Sequence, residues 1–433
     1  MDGNLLAAVG IIALLALIFL GVNIGLSMFL IGFIGFAYVT NLGAALSQLG
    51  TYSMGCSMTY TMTVIPLFVL MGNFAFYSGI SDGLFNASKT LFGRTRGGLA
   101  YAAIVACALF GSICGSLAAT TATMSKVAQP IMAKNNYKEE VIGGTLACAG
   151  TLGTMIPPST PLIIYGIITS TSIGKLFAAS ILPGILQAVC FCVCVFIIGK
   201  KDNSLFPAGQ ATTAKEKIVS LKGFLGMAIL FVIVLGGMFS GVVSVTEAAA
   251  VGAVVALVFM VIFRKANLKN FKESFYDTIK TVGFVMITLV GANVFGSFIT
   301  ITKMPMNLAN WITNSNVQPI VVIIIIMIVY AIMGCLMDTL ALMILTTPIF
   351  LPIVIAFGYD IVWFGIIVLM IMNMGAVTPP VGLSCYVASN VTKIPLASVF
   401  KGAIPFLGAF VVALVIVIAF PQIALLIPSH VAV

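Results

Sequence analysis

Apolar positions in this chain fall in long unbroken runs, neither on one face in the manner of a soluble helix nor in the alternation of a strand. Runs long enough to cross a bilayer as helices lie near residues 4–22, 24–42, 61–78, 141–173, 180–199, 223–240, 244–263, 278–300, 361–392 and 403–427, since one crossing takes about 20 apolar residues. Two further runs, 98–133 and 319–356, are interrupted in the middle by GSICGS (111–116) and GCLMD (334–338). Pattern alone leaves each of these as two full crossings or as a re-entrant hairpin. A membrane barrel is excluded, because its strands are segments of about 10 residues with alternating polarity. The expected fold is an all-α polytopic membrane protein.

Composition strengthens that reading. Of 433 residues, 61% are hydrophobic and 7% charged, against about 25% charged in soluble domains. The net charge of +9 would suggest nucleic acid in a soluble protein, but in a membrane protein basic residues gather in cytoplasmic loops and fix orientation. Nucleic acid is therefore excluded as a partner, and lipid is the expected surround. The nine cysteines lack a CxxC pair and read as small buried hydrophobes; the single histidine is His430. Residues 5–20 lack a basic flank and a small-residue cleavage site, so a retained helix is expected there and not a signal peptide.

The basic residues also decide between crossings and hairpins. If both broken runs are hairpins and the N-terminus is outside, the cytoplasmic loops collect Lys89, Arg94, Arg96, Lys134, Lys138, Lys200, Lys201, Lys215, Lys217, Lys222, Arg264, Lys265, Lys269, Lys272, Lys280, Lys393 and Lys401. Only Lys175 and Lys303 fall outside, with Lys126 inside the first hairpin. A single crossing at either broken run would move every later basic loop to the other side. Both termini are therefore expected to face outward.

The polar stretch 200–222 reads as a cytoplasmic linker that divides two related halves. A shift of 222 positions superposes Pro130 on Pro352, Pro157 and Pro158 on Pro379 and Pro380, Pro183 on Pro405, Gly143 on Gly365 and Gly153 on Gly375. Five crossings separate equivalent elements, and an odd number reverses their direction. This is an inverted-topology repeat, the construction that underlies alternating access in many secondary transporters.

Chemistry is expected at the paired breaks. TLACAGTLGTMIPPSTPLIIYG in the first half and VLMIMNMGAVTPPVGLSCYV in the second each carry adjacent prolines, which remove backbone donors and free the preceding carbonyls. Thr151, Thr154 and Ser159 stand beside one break, Asn373 and Thr378 beside the other, all neutral oxygen donors suited to Na⁺. The first hairpin tip offers Gly111, Ser112, Gly115 and Ser116, followed by Thr120, Thr121 and Thr123. The second offers Asp338, which the 222 shift places on Ser116, and Thr339. An ionisable group at membrane depth is a functional candidate with a cationic partner. No Lys or Arg is expected near Asp338, which leaves a bound Na⁺ as its neutraliser. A membrane enzyme is disfavoured, since no His, Cys or carboxylate cluster has ligand or triad spacing.

GSICGSLAATTATM, GTLGTMIPPSTPLIIYG, MDTLALMILTTPIFLPI and NMGAVTPPVG together resemble the large membrane subunit of the tripartite ATP-independent periplasmic (TRAP) transporters over nearly the whole chain. The resemblance implies Na⁺-driven import of an organic acid anion, such as a sialic acid or C4-dicarboxylate, across the bacterial inner membrane. It implies two partners, a periplasmic substrate-binding protein and a small four-helix membrane subunit, and no cofactor beyond the coupling ion. It further implies an elevator, with 79–199 (hairpin 98–133) and 298–427 (hairpin 319–356) moving against a scaffold of 1–78 and 223–297. By similarity, one Na⁺ site maps to Gly111, Ser112, Ser116, Thr151 and Gly153, and the other to Asp338, Thr339, Asn373, Gly375 and Thr378. Substrate would lie near Pro157, Pro158 and Ser159 and near Pro379, Pro380 and Gly382. The nearest alternative is a stand-alone Na⁺-coupled dicarboxylate or citrate carrier that needs no binding protein.

Overall fold

The structure is a computed structural model that describes residues 3–93, 95–202, 205–207, 213–314 and 317–431. Among these residues the secondary structure is entirely helical. Eight helices are long and apolar enough to cross a bilayer, and five shorter apolar helices have 10–17 residues. In chain order the first half holds α1 (Gly3–Phe19), α2 (Ile24–Val39), α3 (Leu42–Met58), α4 (Val64–Tyr77) and α5 (Ile80–Phe92). It continues with the hairpin arms α6 (Gly98–Cys114) and α7 (Leu117–Lys134), the broken helix α8 (Glu139–Gly150), α9 (Leu152–Met155) and α10 (Thr160–Thr169), and the long α11 (Ile173–Lys201).

The second half repeats the plan with local changes. α12 (Ala214–Ser220) precedes α13 (Lys222–Phe231), a π turn at Val232–Gly236 and α14 (Gly237–Phe239). Then come α15 (Val245–Ile262), α16 (Leu268–Ile301), α17 (Met304–Asn314), the hairpin arms α18 (Pro319–Gly334) and α19 (Thr339–Ala356), the broken helix α20 (Ile361–Gly375) and α21 (Leu383–Thr392), α22 (Leu396–Ala419) and α23 (Gln422–Leu425). The 222 shift carries α7 onto α19 residue for residue and α2 onto α15 within one residue at each end. Packing follows the repeat: α2 runs along α16, and its counterpart α15 runs along α4. The fold is an inverted repeat with two re-entrant hairpins and two broken helices.

Several elements differ from the reading of apolar runs. α3, α5 and α17 were not among them, because α5 and α17 are amphipathic and α3 carries Ser, Thr and Gln along its length. α16 starts at Leu268 and not near 278. Its first turns are polar, and Asn267 caps them by accepting from the Asn270 amide at 2.7 Å. In the first half the equivalent span is split between α3 and α4, so one continuous 34-residue helix faces two. The boundary expected at 78/79 coincides with the turn between α4 and α5. The one at 297/298 falls inside α16, whose end is the turn at Thr302 and Lys303.

The stretch 200–222 is not a bare linker. Lys200 and Lys201 complete α11, and α12 is nucleated by a capping box in which Thr213 Oγ1 accepts from the Glu216 amide while Glu216 accepts from the Thr213 amide. Phe206 is buried and meets the Tyr137 ring edge-on at 6.0 Å, so this part of the chain is seated on the first half. Arg94, counted above among the cytoplasmic bases, lies outside the described residues.

Candidate functional site

Each hairpin turns over a short non-helical tip whose last residue caps the second arm. Ser116 Oγ accepts from the Ala119 amide at 3.4 Å, and Asp338 Oδ2 accepts from the Leu340 amide at 3.0 Å. The N-cap preference for Ser and Asp explains why these two residue types stand at equivalent positions. The first tip is shorter than the polar run 111–116: Gly111 and Ser112 belong to the last turn of α6, and the chain leaves the helix at Gly115, whose φ of +62° suits glycine.

Each tip docks against the broken helix of its own half through bare backbone. A Cβ on Gly111 would collide with the backbone of Gly153, and one on Gly375 would lie 2.6 Å from the carbonyl carbon of Gly334. The breaks then supply amides to the tips. Thr160 N–H donates to the Gly115 carbonyl at 3.3 Å, and Val381 N–H donates to the Cys335 carbonyl at 3.3 Å. Both prolyl pairs, Pro157-Pro158 and Pro379-Pro380, are joined by cis bonds.

The two broken helices are bonded to one another. Thr154 Oγ1 donates to Asn373 Oδ1 at 2.8 Å, with both side chains buried. Ser384 Oγ donates to the Ala147 carbonyl at 2.7 Å and so receives the Thr121 hydroxyl at 2.9 Å, tying α7, α8 and α21 together. Around this seam several buried polar atoms have no hydrogen-bond partner: Thr120 Oγ1, Thr145 Oγ1, Ser159 Oγ and Asn373 Nδ2. Buried polar groups are normally paired, so the three hydroxyl oxygens are available to a ligand, whereas the Asn373 amide nitrogen can only donate. Among the described residues no group of three His, Cys, Asp or Glu side chains converges. The donors are carbonyls, hydroxyls and one carboxylate, a hard-oxygen set of the kind that suits hard cations.

The expected site residues separate into two layers. Ser116, Asp338 and Thr339 come together on a cavity of about 110 Å³, joined there by Gly115, Thr154, Thr160, Pro161 and Leu340. Gly111, Ser112, Thr151, Gly153, Asn373 and Gly375 are buried and do not line it. Three hydroxyls back-bond to helix carbonyls: Ser112 to Leu109, Thr151 to Cys148 and Thr378 to Met374. Pro157, Pro158 and Ser159 are buried, whereas Pro379 and Pro380 are exposed, with Gly382 buried beside them. The two halves thus share a plan but not a state: the first break is covered and the second is open.

The cavity continues into a cleft of about 540 Å³ between the hairpins and the helices α4 and α16, lined by Asn73, Ser116, Thr281 and Asp338 and, farther out, by Lys126, Asp277 and Lys280. Lys126 and Lys280 line the same cleft as Asp338, and among the described residues neither forms an ion pair with it. Lys280, counted among the cytoplasmic bases although it falls within the run 278–300, lies inside α16. Asn73, an isolated amide in an otherwise apolar run, was a signal in the sequence that went unused. Its Nδ2 donates to Thr278 Oγ1 at 2.8 Å, and one turn on the Tyr77 hydroxyl donates to Asp277 Oδ2 at 2.7 Å.

Inverted halves, each with a re-entrant hairpin seated on a broken helix around a polar cavity, define a membrane transporter built on internal repeats. Residues 11–423 match the family model of the tripartite ATP-independent periplasmic transporter, DctM component, and the chain belongs to this family. It is 35% identical over 371 residues to the C4-dicarboxylate TRAP transporter large permease protein DctM of Pseudomonas aeruginosa, covering 86% of each chain. It is 32% identical to the sialic acid TRAP transporter large permease protein SiaM of Vibrio cholerae, covering 96% of each. Among solved structures, the Alcanivorax borkumensis YdaH transporter shares the fold, with a TM-score of 0.64 at 13% identity over 89% of this chain and 90% of that one. The relatives are named as permeases and not as enzymes.

Proposed function

We propose that this chain is the Na⁺-coupled transport subunit of a tripartite importer of an organic acid anion in the bacterial inner membrane. A periplasmic binding protein delivers the substrate, and a small four-helix membrane subunit completes the permease. The observation that carries the reading is the cavity between the two hairpin tips, where Ser116, Thr154, Thr160, Asp338 and Thr339 gather oxygen donors at the joint of the two halves. Family membership supports the two partners, and the carboxylates named for the relatives support the substrate class.

In this reading Na⁺ is a co-substrate. One ion is held by donors around Ser116, Thr151 and Gly153 with the orphaned hydroxyl of Thr120, the other by donors around Asp338, Asn373, Gly375 and Thr378. An anion entering a low-dielectric cavity needs compensating charge, which the ions provide while ordering the tips that hold them. Each net positive charge carried inward gains about 2.3 kcal/mol per 100 mV of membrane potential, so a surplus of Na⁺ over substrate charge drives accumulation. The hydrogen bonds Thr154–Asn373 and Thr121–Ser384–Ala147 tie the first hairpin to both broken helices, and Val381–Cys335 ties in the second hairpin, so that they make one block. That block would slide as an elevator against α4, α15, α16 and α2. The open cleft borders Lys126, Lys280 and the polar start of α16. Because the basic loops are cytoplasmic and both termini periplasmic in this reading, the structure is the inward-facing state.

The test is reconstitution into proteoliposomes with the small subunit and the binding protein. Uptake of a C4-dicarboxylate or a sialic acid that requires both an inward Na⁺ gradient and the binding protein supports the proposal. Uptake that persists without the binding protein favours a stand-alone carrier and overturns it, as does uptake indifferent to Na⁺.

A further inference from the structure

We propose that a groove on the outer face of the first hairpin is a binding site for one anionic glycerophospholipid, with a chain lying between α6 and α11 and its phosphate between Arg96 and Lys200. Two adjoining cavities make up the groove. The inner one, about 550 Å³, lies between α6 and α11, with Val105, Leu109, Ile185 and Val189 among its walls, and reaches Ser112 and Ile156 at its deep end. The outer one, about 620 Å³, is bordered by Phe92, Thr95, Arg96, Gly199 and Lys200. Tyr101, Cys192 and Phe196 line both, so the two are continuous.

The chemistry of the groove changes sharply along its length. Its inner part is apolar throughout, because Ser112, a polar residue at its deep end, spends its hydroxyl proton on the Leu109 carbonyl at 2.8 Å. Ile185, Val189 and Phe196 expose about half their surface, so the wall is open to the bilayer and offers nothing but hydrocarbon contact. Any lipid chain could lie there, since acyl tails and Leu side chains are equally apolar. The outer end discriminates. Lys200 Nζ is held over the Phe196 ring at 5.0 Å from its centroid, a cation–π contact that fixes the ammonium at the mouth. Arg96 stands across from it on the turn before α6, and among the described residues neither side chain has a salt-bridge partner.

Two uncompensated cations above an apolar slot between helices match an anionic headgroup with its tail, and a basic interhelical pocket on the cytoplasmic side is a recognised lipid site. Phe231 of α13, a helix from the other half, also borders the inner cavity. The lipid therefore sits where the hairpin block meets its surroundings, next to Ser112 and the first break. The assignment to the cytoplasmic leaflet rests on the orientation given under the proposed function; the site itself does not.

The experiment uses the purified full chain with its small subunit in a zwitterionic detergent, titrated with phosphatidylglycerol, phosphatidylcholine, short-chain dihexanoyl phosphatidylglycerol or inorganic phosphate, with thermal stability as the readout. Long-chain phosphatidylglycerol is expected to stabilise the complex at about tenfold lower concentration than phosphatidylcholine, and the short-chain lipid and free phosphate are expected to do little. The double variant Arg96→Gln and Lys200→Gln should lose this preference, while Lys269→Gln, an exposed base on α16, should keep it. Val189→Trp, which fills the groove and leaves both charges, should weaken binding of both long-chain lipids. Equal response to the two headgroups, a preference that survives the double variant, or full stabilisation by free phosphate would each overturn the proposal. None of these results depends on transport, so they are separable from failure of the Na⁺-coupled reading.

Discussion

Asp338 does two jobs that a single substitution separates. As the N-cap of α19 its carboxylate accepts from the Leu340 amide, and as a wall of the cavity it brings a negative charge to the joint of the two hairpins. Asn caps a helix about as well as Asp, so Asp338→Asn should leave the melting temperature of the ion-free complex nearly unchanged. The loss of charge should raise the Na⁺ concentration for half-maximal uptake by about tenfold, which corresponds to about 1.4 kcal/mol. Na⁺ titration of uptake in proteoliposomes checks this; an unaltered half-maximal concentration removes Asp338 from the ion site. Asp338 stood out in the sequence because a carboxylate inside an apolar run has to be explained, and the structure sets it on the cavity wall. The company it keeps was not. Thr281 and Lys280 come from a helix more than fifty positions away in sequence, and Lys126 lies on the other hairpin. Only tertiary packing brings them to one cleft.

At the scale of the element, the hairpins hold their places by the absence of side chains. Gly334 and Gly375 touch backbone to backbone, so Gly375→Ala puts a methyl group 2.6 Å from a carbonyl carbon that has no room to move. Overpacking of this kind costs about 1–3 kcal/mol, and here the strain is relieved by lifting the second tip off its broken helix. Gly375→Ala should therefore insert into membranes normally and lose most of its Na⁺-induced thermal stabilisation, whereas Gly283→Ala, with open space around it, should behave as wild type. A full thermal response in Gly375→Ala would show that the tip tolerates displacement. The proline pairs announced both broken helices, and the interrupted runs announced both hairpins. The amphipathic α5 and α17 went unseen, because a search for apolar runs passes over helices that carry one polar face. The 222 shift carries one onto the other to within two residues at the start.

At the scale of the whole molecule, the proposed orientation makes the open cleft a cytoplasmic one. A cysteine at Ala122, on the cleft wall, introduced into a background freed of the native cysteines, should react with a membrane-impermeant maleimide added from the cytoplasmic side and be protected from the periplasmic side. Labelling from the periplasm alone would invert the orientation and the direction assigned to this state. The repeat itself was readable from proline spacing, and the loop charges carry the expected sidedness that this labelling tests. What separates the two halves, a sealed first break and an uncovered second one, has no counterpart in residue pattern. Because the halves share one backbone plan, the arrangement of residues 98–169 is a template for 319–392 in the opposite pose, and the reverse. If the proposed elevator holds, exchanging the two poses gives the coordinates expected of the outward-facing molecule, with Pro379 and Pro380 tucked away and Pro157 and Pro158 bared. Spin-label distances between those pairs and α16 can be calculated from such coordinates before any second conformer is trapped.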